Sequence, residues 1–252
     1  MAAEWCQPFL IPKKILSRQR PREARKVLTP LPGLFDLALV PQGSRPRLLS
    51  DAPAGAECRM DLMPAPIMII SGTNRANSNA LRISKIVLGH YQSAKIAAEL
   101  FNLEELPREV FEPSSYLQKP AAMRVIQQRV LDAQGLHVIT PEYNGSFPGV
   151  LKYFVDMLKF PESFDRKPVA FVGEASGVWG GLRAVEQLQM IFGYRNAHSY
   201  PDRVFIPQVK DKFDAAGNFT DAGINERLKK QAIGFECFIR SVCNIASQPP
   251  PV

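Results

Sequence analysis

The chain has 252 residues, 46% hydrophobic and 22% charged, with a formal net charge of +7. At about 100–200 residues per domain this fits one domain with an appendage, or two small ones. No apolar run approaches the roughly 18 residues of a membrane-spanning helix. Four cysteines without a CxxC pair, and three scattered histidines (His90, His137, His198), exclude a disulfide scaffold and point to no structural zinc site or other metal.

The charge is unevenly divided. Residues 1–62 carry ten Lys/Arg, six Asp/Glu and eight of the 22 prolines, whereas residues 63–252 carry 21 and 18 charges of the two signs. The first segment shows no sustained period of 3.6 or 2, and prolines or charges cut short its apolar runs. It is expected to be largely disordered, because it has too little apolar surface to offset its ordering entropy. Three readings of it stay open: a targeting peptide, a functional basic tail, or a mis-assigned start with Met60 or Met63 beginning the folded protein. A secretory signal is not indicated. Residues 63–246 are expected to form the domain and residues 247–252 a disordered tail. The extension has no aromatic interleaving beyond Trp5, Phe9 and Phe35, and the domain has no basic stripe, so nucleic acid is not an expected partner.

Within the domain, Ile67, Met68, Ile69 and Ile70 form a short apolar run, the pattern of a strand buried on both faces in a parallel sheet. Residues 79–91 follow with Ile83, Ile86, Val87 and His90 at helical spacing. Residues 95–101 are a second strand candidate, and Met123, Ile126 and Val130 mark a second helix. Residues 136–140 read as a third strand. Ser146 is the expected cap of a third helix, with Pro148 in its first turn and Leu151, Phe154, Val155 and Leu158 on its apolar face. A fourth strand covers 169–172, a fourth helix 181–192, a fifth strand 204–206 and a last helix 224–243. Tyr153, Phe154 and Met157 suit either a core or a subunit contact, and the core is preferred.

Five strands alternating with five helices predict an α/β, doubly wound, five-stranded parallel sheet of flavodoxin-like order 2-1-3-4-5. Ligands then bind at the carboxyl ends of the strands, where three loops converge. The first loop, Ser71 to Asn79, offers hydroxyls at Thr73 and Ser78, the Arg75 guanidinium and a helix N-terminus, which together suit a phosphate. It is neither GxxxxGK[ST] nor GxGxxG, so neither an NTPase nor the dinucleotide fingerprint is indicated. The second, Pro141 to Gly149, combines an aromatic with a Gly-containing turn whose backbone groups suit a heteroaromatic ring. The third, Gly173 to Arg183, has four glycines in nine residues, which permits close backbone approach.

Together these loops resemble the NADPH-dependent FMN reductase family, the flavodoxin-like group that includes quinone, chromate and azo-dye reductases. The resemblance rests on Gly72-Thr73-x-Arg75-x-x-Ser78-Asn79, on Thr140-Pro141-Glu142-Tyr143-Asn144-Gly145-Ser146-x-Pro148-Gly149-x-Leu151-Lys152, and on Gly180-Gly181-x-Arg183-Ala184. Phe213-Asp214-x-x-Gly217 with Asp221 adds to it. Thr73 stands where the family often has Ser, and both supply a hydroxyl.

The resemblance implies that Thr73, Arg75, Ser78, Asn79 and Ala80 hold the FMN phosphate without a metal. Pro141, Glu142, Tyr143 and Asn144 would line the isoalloxazine, chiefly through backbone groups. Ala175, Ser176 and Gly177 would close over the ring, and Gly180 and Gly181 would leave room for nicotinamide or substrate. No side chain need act as acid or base. Lys152 and Arg183 are family-matched cations, read first as helix surface or subunit contacts and second as contacts to a nicotinamide phosphate. The implied activity passes hydride from NADPH or NADH through FMN to a small-molecule acceptor: a quinone, free flavin, azo compound or metal oxyanion. A homodimer or homotetramer, a cytoplasmic setting and no membrane partner go with it. The alternative is a flavodoxin-type electron carrier without direct NAD(P)H oxidation.

Overall fold

A computed structural model of the protein describes residues 65–246, with side chains to residue 243. The readings for residues 1–62 and 247–252 lie outside the described residues. Strand β1 (Ile67–Ser71) is buried along its whole length. It lies between β2 (Ala98–Asn102) and β3 (Gly135–Pro141), parallel to both, with Ile69 opposite Leu100 on one side and His137 on the other. Strand β4 (Pro168–Glu174) continues the sheet beyond β3. The strand order is the flavodoxin-like one expected.

The fifth position of the sheet differs from expectation. Two short strands share it, both parallel to β4: β5 (His198–Ser199) beside Pro168 and Val169, and β6 (Val204–Ile206) beside residues 172–174. Pro201 lies between them and has no N–H to continue a ladder. Strand β5 is too short to show a pattern in sequence.

Helices cover both faces. Side chains of Met68, Ile70, Leu136, Val138, Val169 and Phe171 pack toward α2 (Ala121–Asp132), α3 (Gly149–Met157) and α4 (Leu182–Tyr194). Their neighbours Ile67, Ile69, Ile139, Ala170 and Val172 pack toward α1 (Asn79–Ser93) and α5 (Ala222–Ala246). This alternation is the period of 2 that a strand imposes. Phe154 and Met157 lie in the core, and the partly buried Tyr153 packs against it and donates its hydroxyl to the Val110 carbonyl at 2.6 Å.

Three local expectations are corrected. Strand β2 begins at Ala98 rather than residue 95, because Lys95 has a positive φ of 57° and joins the turn that ends α1. Ser146 does not cap α3. The helix starts at Gly149 after Pro148, and the Ser146 hydroxyl instead donates to Gln187 Oε1 at 2.6 Å. Residues 103–116, given no element from sequence, form three short 3-10 turns, with Pro107 before the second and Pro113 opening the third.

A buried and a partly buried polar group tie the layers together. His137, fully buried on β3, shares hydrogen bonds with the Tyr91 hydroxyl (2.9 Å) and Gln231 Oε1 (3.1 Å). Gln231 Nε2 donates onward to the Phe171 and Asp202 carbonyls. Lys167 Nζ donates to three carbonyls, of Val130, Leu131 and Ala133, at the end of α2. Those carbonyls have no partner within the helix, and the lysine supplies it. Burial lowers the Lys167 pKa to about 8.

Candidate active site

The first, second and third loops leave the carboxyl ends of β1, β3 and β4, so the sheet order itself brings them together. In the first loop, Ser78 is the N-cap of α1 and accepts from the Leu81 N–H at 3.1 Å. The N–H groups of Asn79 and Ala80, in the first turn, have no acceptor within the helix and favour an anion. Thr73 is buried at 1% exposure, and its hydroxyl accepts from the Arg75 N–H at 3.3 Å. The Arg75 side chain is exposed and makes no ion pair among the described residues. Arg82, one turn into α1, donates to Asn79 Oδ1 and to the Gly217 carbonyl and lies over the Phe213 ring at 3.5 Å. The Phe213–Gly217 segment noted in sequence is thereby clasped to the start of α1.

The second loop turns at Asn144 and Gly145, both with positive φ (52° and 75°), and paired backbone bonds join Tyr143 to Ser146. This is the two-residue geometry that Asn-Gly favours. Gln187 of α4 holds the turn by accepting from Ser146 and donating to the Gly145 carbonyl. The Thr73 and Tyr143 hydroxyls are 3.3 Å apart, a direct link between the first two loops. Glu142 pairs with Arg183 at 2.9 Å, linking the second loop to α4.

The third loop packs tightly on the sheet. A Cβ on Gly180 would meet the Ile206 and Pro207 nitrogens at 2.9 Å, and one on Gly181 would meet the Glu174 nitrogen at 2.5 Å. The missing side chains of Gly180 and Gly181 therefore let backbones approach one another. Glu174, the last residue of β4, is 5% exposed, and burial pushes its carboxyl up to about 7.

A cavity of about 430 Å³ opens where the loops meet. It is lined by Arg75 of the first loop, residues 142–145 of the second, residues 175–177 and Trp179 of the third, Arg183 of α4, and Lys210. Of the residues expected at the site, Arg75, Glu142, Tyr143, Asn144, Ala175, Ser176 and Gly177 line it directly. Thr73, Ser78, Asn79, Ala80 and Pro141 stand behind this lining, mostly buried at the strand ends and the start of α1. Lys152 is apart from it, paired with Asp156 one turn along α3. Sequence reasoning missed Trp179, Lys210 and Gln187. Trp179 lay within the third loop, while Lys210 and Gln187 carried no signal in the sequence.

Known proteins resemble this chain in both sequence and fold. The chain is 30% identical over 124 residues to an NAD(P)H-dependent FMN reductase of Pseudomonas aeruginosa, covering 48% of this chain and 67% of that protein. It is 30% identical over 115 residues to an FMN-dependent NADPH-azoreductase of Staphylococcus aureus, covering 44% and 61%. The chain thus spans less than two thirds of the azoreductase's length. The fold is that of a flavoenzyme NAD(P)H:(acceptor) oxidoreductase from Paracoccus denitrificans, with a TM-score of 0.59 at 21% identity over 70% of this chain and 98% of that one. The family model for NADPH-dependent FMN reductases matches residues 65–211, more than half of the sequence. The chain belongs to the NADPH-dependent FMN reductase family.

Proposed function

We propose that this chain binds FMN across the three loops and uses it to carry hydride from NADPH or NADH to a small-molecule acceptor, a quinone, free flavin, azo compound or metal oxyanion. The observation that carries the reading is the cavity that brings Arg75 of the first loop together with the Asn-Gly turn and the third loop.

The residues present fit the cofactor. The phosphate end has the Arg75 guanidinium, first-turn N–H groups of α1 and the Thr73 hydroxyl. It also has Ser71 Oγ, which is buried at the head of the loop without a hydrogen-bond partner among the described residues. Thr73, Arg75, Ser78, Asn79 and Ala80 would hold the phosphate by charge-assisted hydrogen bonds. Pro141, Glu142, Tyr143 and Asn144 would line the ring on one side, and Ala175, Ser176 and Gly177 on the other. FMN, when bound, supplies the two-electron chemistry, accepting hydride at N5. The protein supplies orientation: the Thr73–Tyr143 contact fixes the phosphate loop relative to the turn, and Gln187 fixes the turn on α4. The exposed Val178 and Trp179 beside the site support self-association as a homodimer or homotetramer.

The test is spectroscopic. The full-length chain should purify yellow or take up FMN, and should bleach when NADPH is added without oxygen. A colourless chain that fails to take up FMN would overturn the reading. A yellow chain that neither NADPH nor NADH bleaches would favour the electron carrier.

A further inference from the structure

The second loop holds an acceptor that backbone contacts to a ring leave unused. The Glu142 side chain is only 10% exposed, yet it lines the cavity. Its Oε1 accepts from Arg183 Nη1 at 2.9 Å. Its Oε2 is buried with no hydrogen-bond partner among the described residues. An ionised carboxylate can accept about four hydrogen bonds, and a buried charged oxygen left unpaired is costly.

The side chain is held in this position. The Glu142 N–H donates to the Glu174 carbonyl at 2.9 Å. Arg183 sits in the first turn of α4, with its guanidinium 5.6 Å from the centre of the Trp179 ring. Turning Oε2 to solvent would break the ion pair. Arg75 and Lys210 also line the cavity, but neither forms an ion pair with Glu142. Arg183 already balances the carboxylate charge, so the missing partner is a neutral donor. The indole of Trp179 on the cavity wall suits a planar ring to carry that donor.

We infer that Glu142 Oε2 accepts a hydrogen bond from an amide or imide N–H on a planar ring bound in the cavity, with Arg183 as the positioning residue. This rests on the proposed function, which offers two rings with such a group: the imide of the isoalloxazine and the carboxamide of nicotinamide. Glu142 is then a specificity-determining residue that favours rings bearing an N–H over analogues that lack it.

The experiment compares the full-length chain with Glu142→Leu, which keeps volume but removes the acceptor, and Glu142→Gln, which keeps one acceptor oxygen. FMN and 3-methyl-FMN are titrated by flavin fluorescence. NADPH and the reduced 3-acetylpyridine analogue, which lacks the carboxamide N–H, are compared by KM. In one of the two pairs, Glu142→Leu should weaken the N–H ligand on the order of tenfold or more, leave its analogue unchanged, and be partly rescued by Glu142→Gln. An effect on the FMN pair assigns the imide, and an effect on the NADPH pair assigns the carboxamide. If FMN binds and neither discrimination changes in either variant, the inference is wrong. A parent chain that binds no FMN overturns the functional reading, and this inference falls with it.

Discussion

The hydroxyls of Thr73 and Tyr143 lie 3.3 Å apart and join the loop after β1 to the loop after β3. Thr73 is 1% exposed and its oxygen also accepts from the Arg75 N–H, so its rotamer is constrained from two sides. This fixes the distance between the first loop, proposed to hold the phosphate, and the second, proposed to line the ring. Thr73→Val keeps the shape and removes the hydroxyl. With about 1 kcal/mol per hydrogen bond, FMN affinity should fall roughly five- to tenfold in a fluorescence titration, with little change in melting temperature. Unchanged affinity would separate Thr73 from the cofactor.

Arg75 is exposed and makes no ion pair among the described residues, so its charge is available to a ligand and contributes little to the fold. Arg75→Ala should weaken FMN retention by about 1.5–3 kcal/mol, the scale of a hydrogen bond to a charged group. The difference between parent and variant should shrink at high salt, because an exposed ion contact is screened. A loss that is independent of salt would point to a structural role for Arg75.

The legible parts of the fold are those where one pattern dominates. The apolar run at Ile67–Ile70 is continuous because β1 is buried on both faces, and Asn144-Gly145 names its own turn. Contacts between distant segments were not legible. Ser146 looks like a helix cap locally, but Gln187, 41 residues away, takes its hydroxyl. Lys210 reaches the cavity only because β6 runs beside β4 and the chain then turns back over the third loop, where Val209 N–H donates to the Ala175 carbonyl. Gly180 and Gly181 stood out in sequence, but the backbones they admit could be seen only in the folded chain.

Gly181 gives a sharp test of that packing. Its φ is +86°, and an added Cβ would lie 2.5 Å from the Glu174 nitrogen and 2.8 Å from Gly173 backbone atoms. Backbone cannot yield as a flexible side chain can. Gly181→Ala should therefore combine a left-handed penalty of about 1–2 kcal/mol with displacement of the third loop. Thermal melts should show a loss of at least 2 kcal/mol, accompanied by weaker FMN binding. An unchanged melt would mean the third loop can move freely away from β4.

His137 makes stability depend on acid. Burial lowers its pKa to about 4, against the opposing hydrogen bond with the acceptor Gln231 Oε1. An unfolded histidine binds its proton near pH 6.5, while the folded one does so only near 4. Stability should therefore fall as pH drops through that window, by about 3 kcal/mol in all at 1.36 kcal/mol per unit. His137→Asn cannot titrate there. Urea unfolding at pH 7 and pH 4 should show a smaller pH-dependent loss in the variant, whatever its absolute stability. Equal losses in both would place the proton on His137 in the folded state.

Glu174 acts in the opposite sense. The residue is 5% exposed, and its carboxyl has no hydrogen bond or ion pair among the described residues and is pushed up to about 7 by burial. An unfolded glutamate ionises near 4.3. Between these values the folded chain holds more protons than the unfolded one, so this group's contribution to stability declines as pH rises toward 7 and is lost above it. Glu174→Gln is close in shape and cannot ionise. Relative to the parent it should be more stable at pH 8, by up to about 3 kcal/mol, with the advantage vanishing near pH 4.5. The rise should be seen in urea midpoints with an unchanged denaturant slope. A variant with no advantage at pH 8 would mean that the ionised Glu174 finds solvent or a donor at the end of β4.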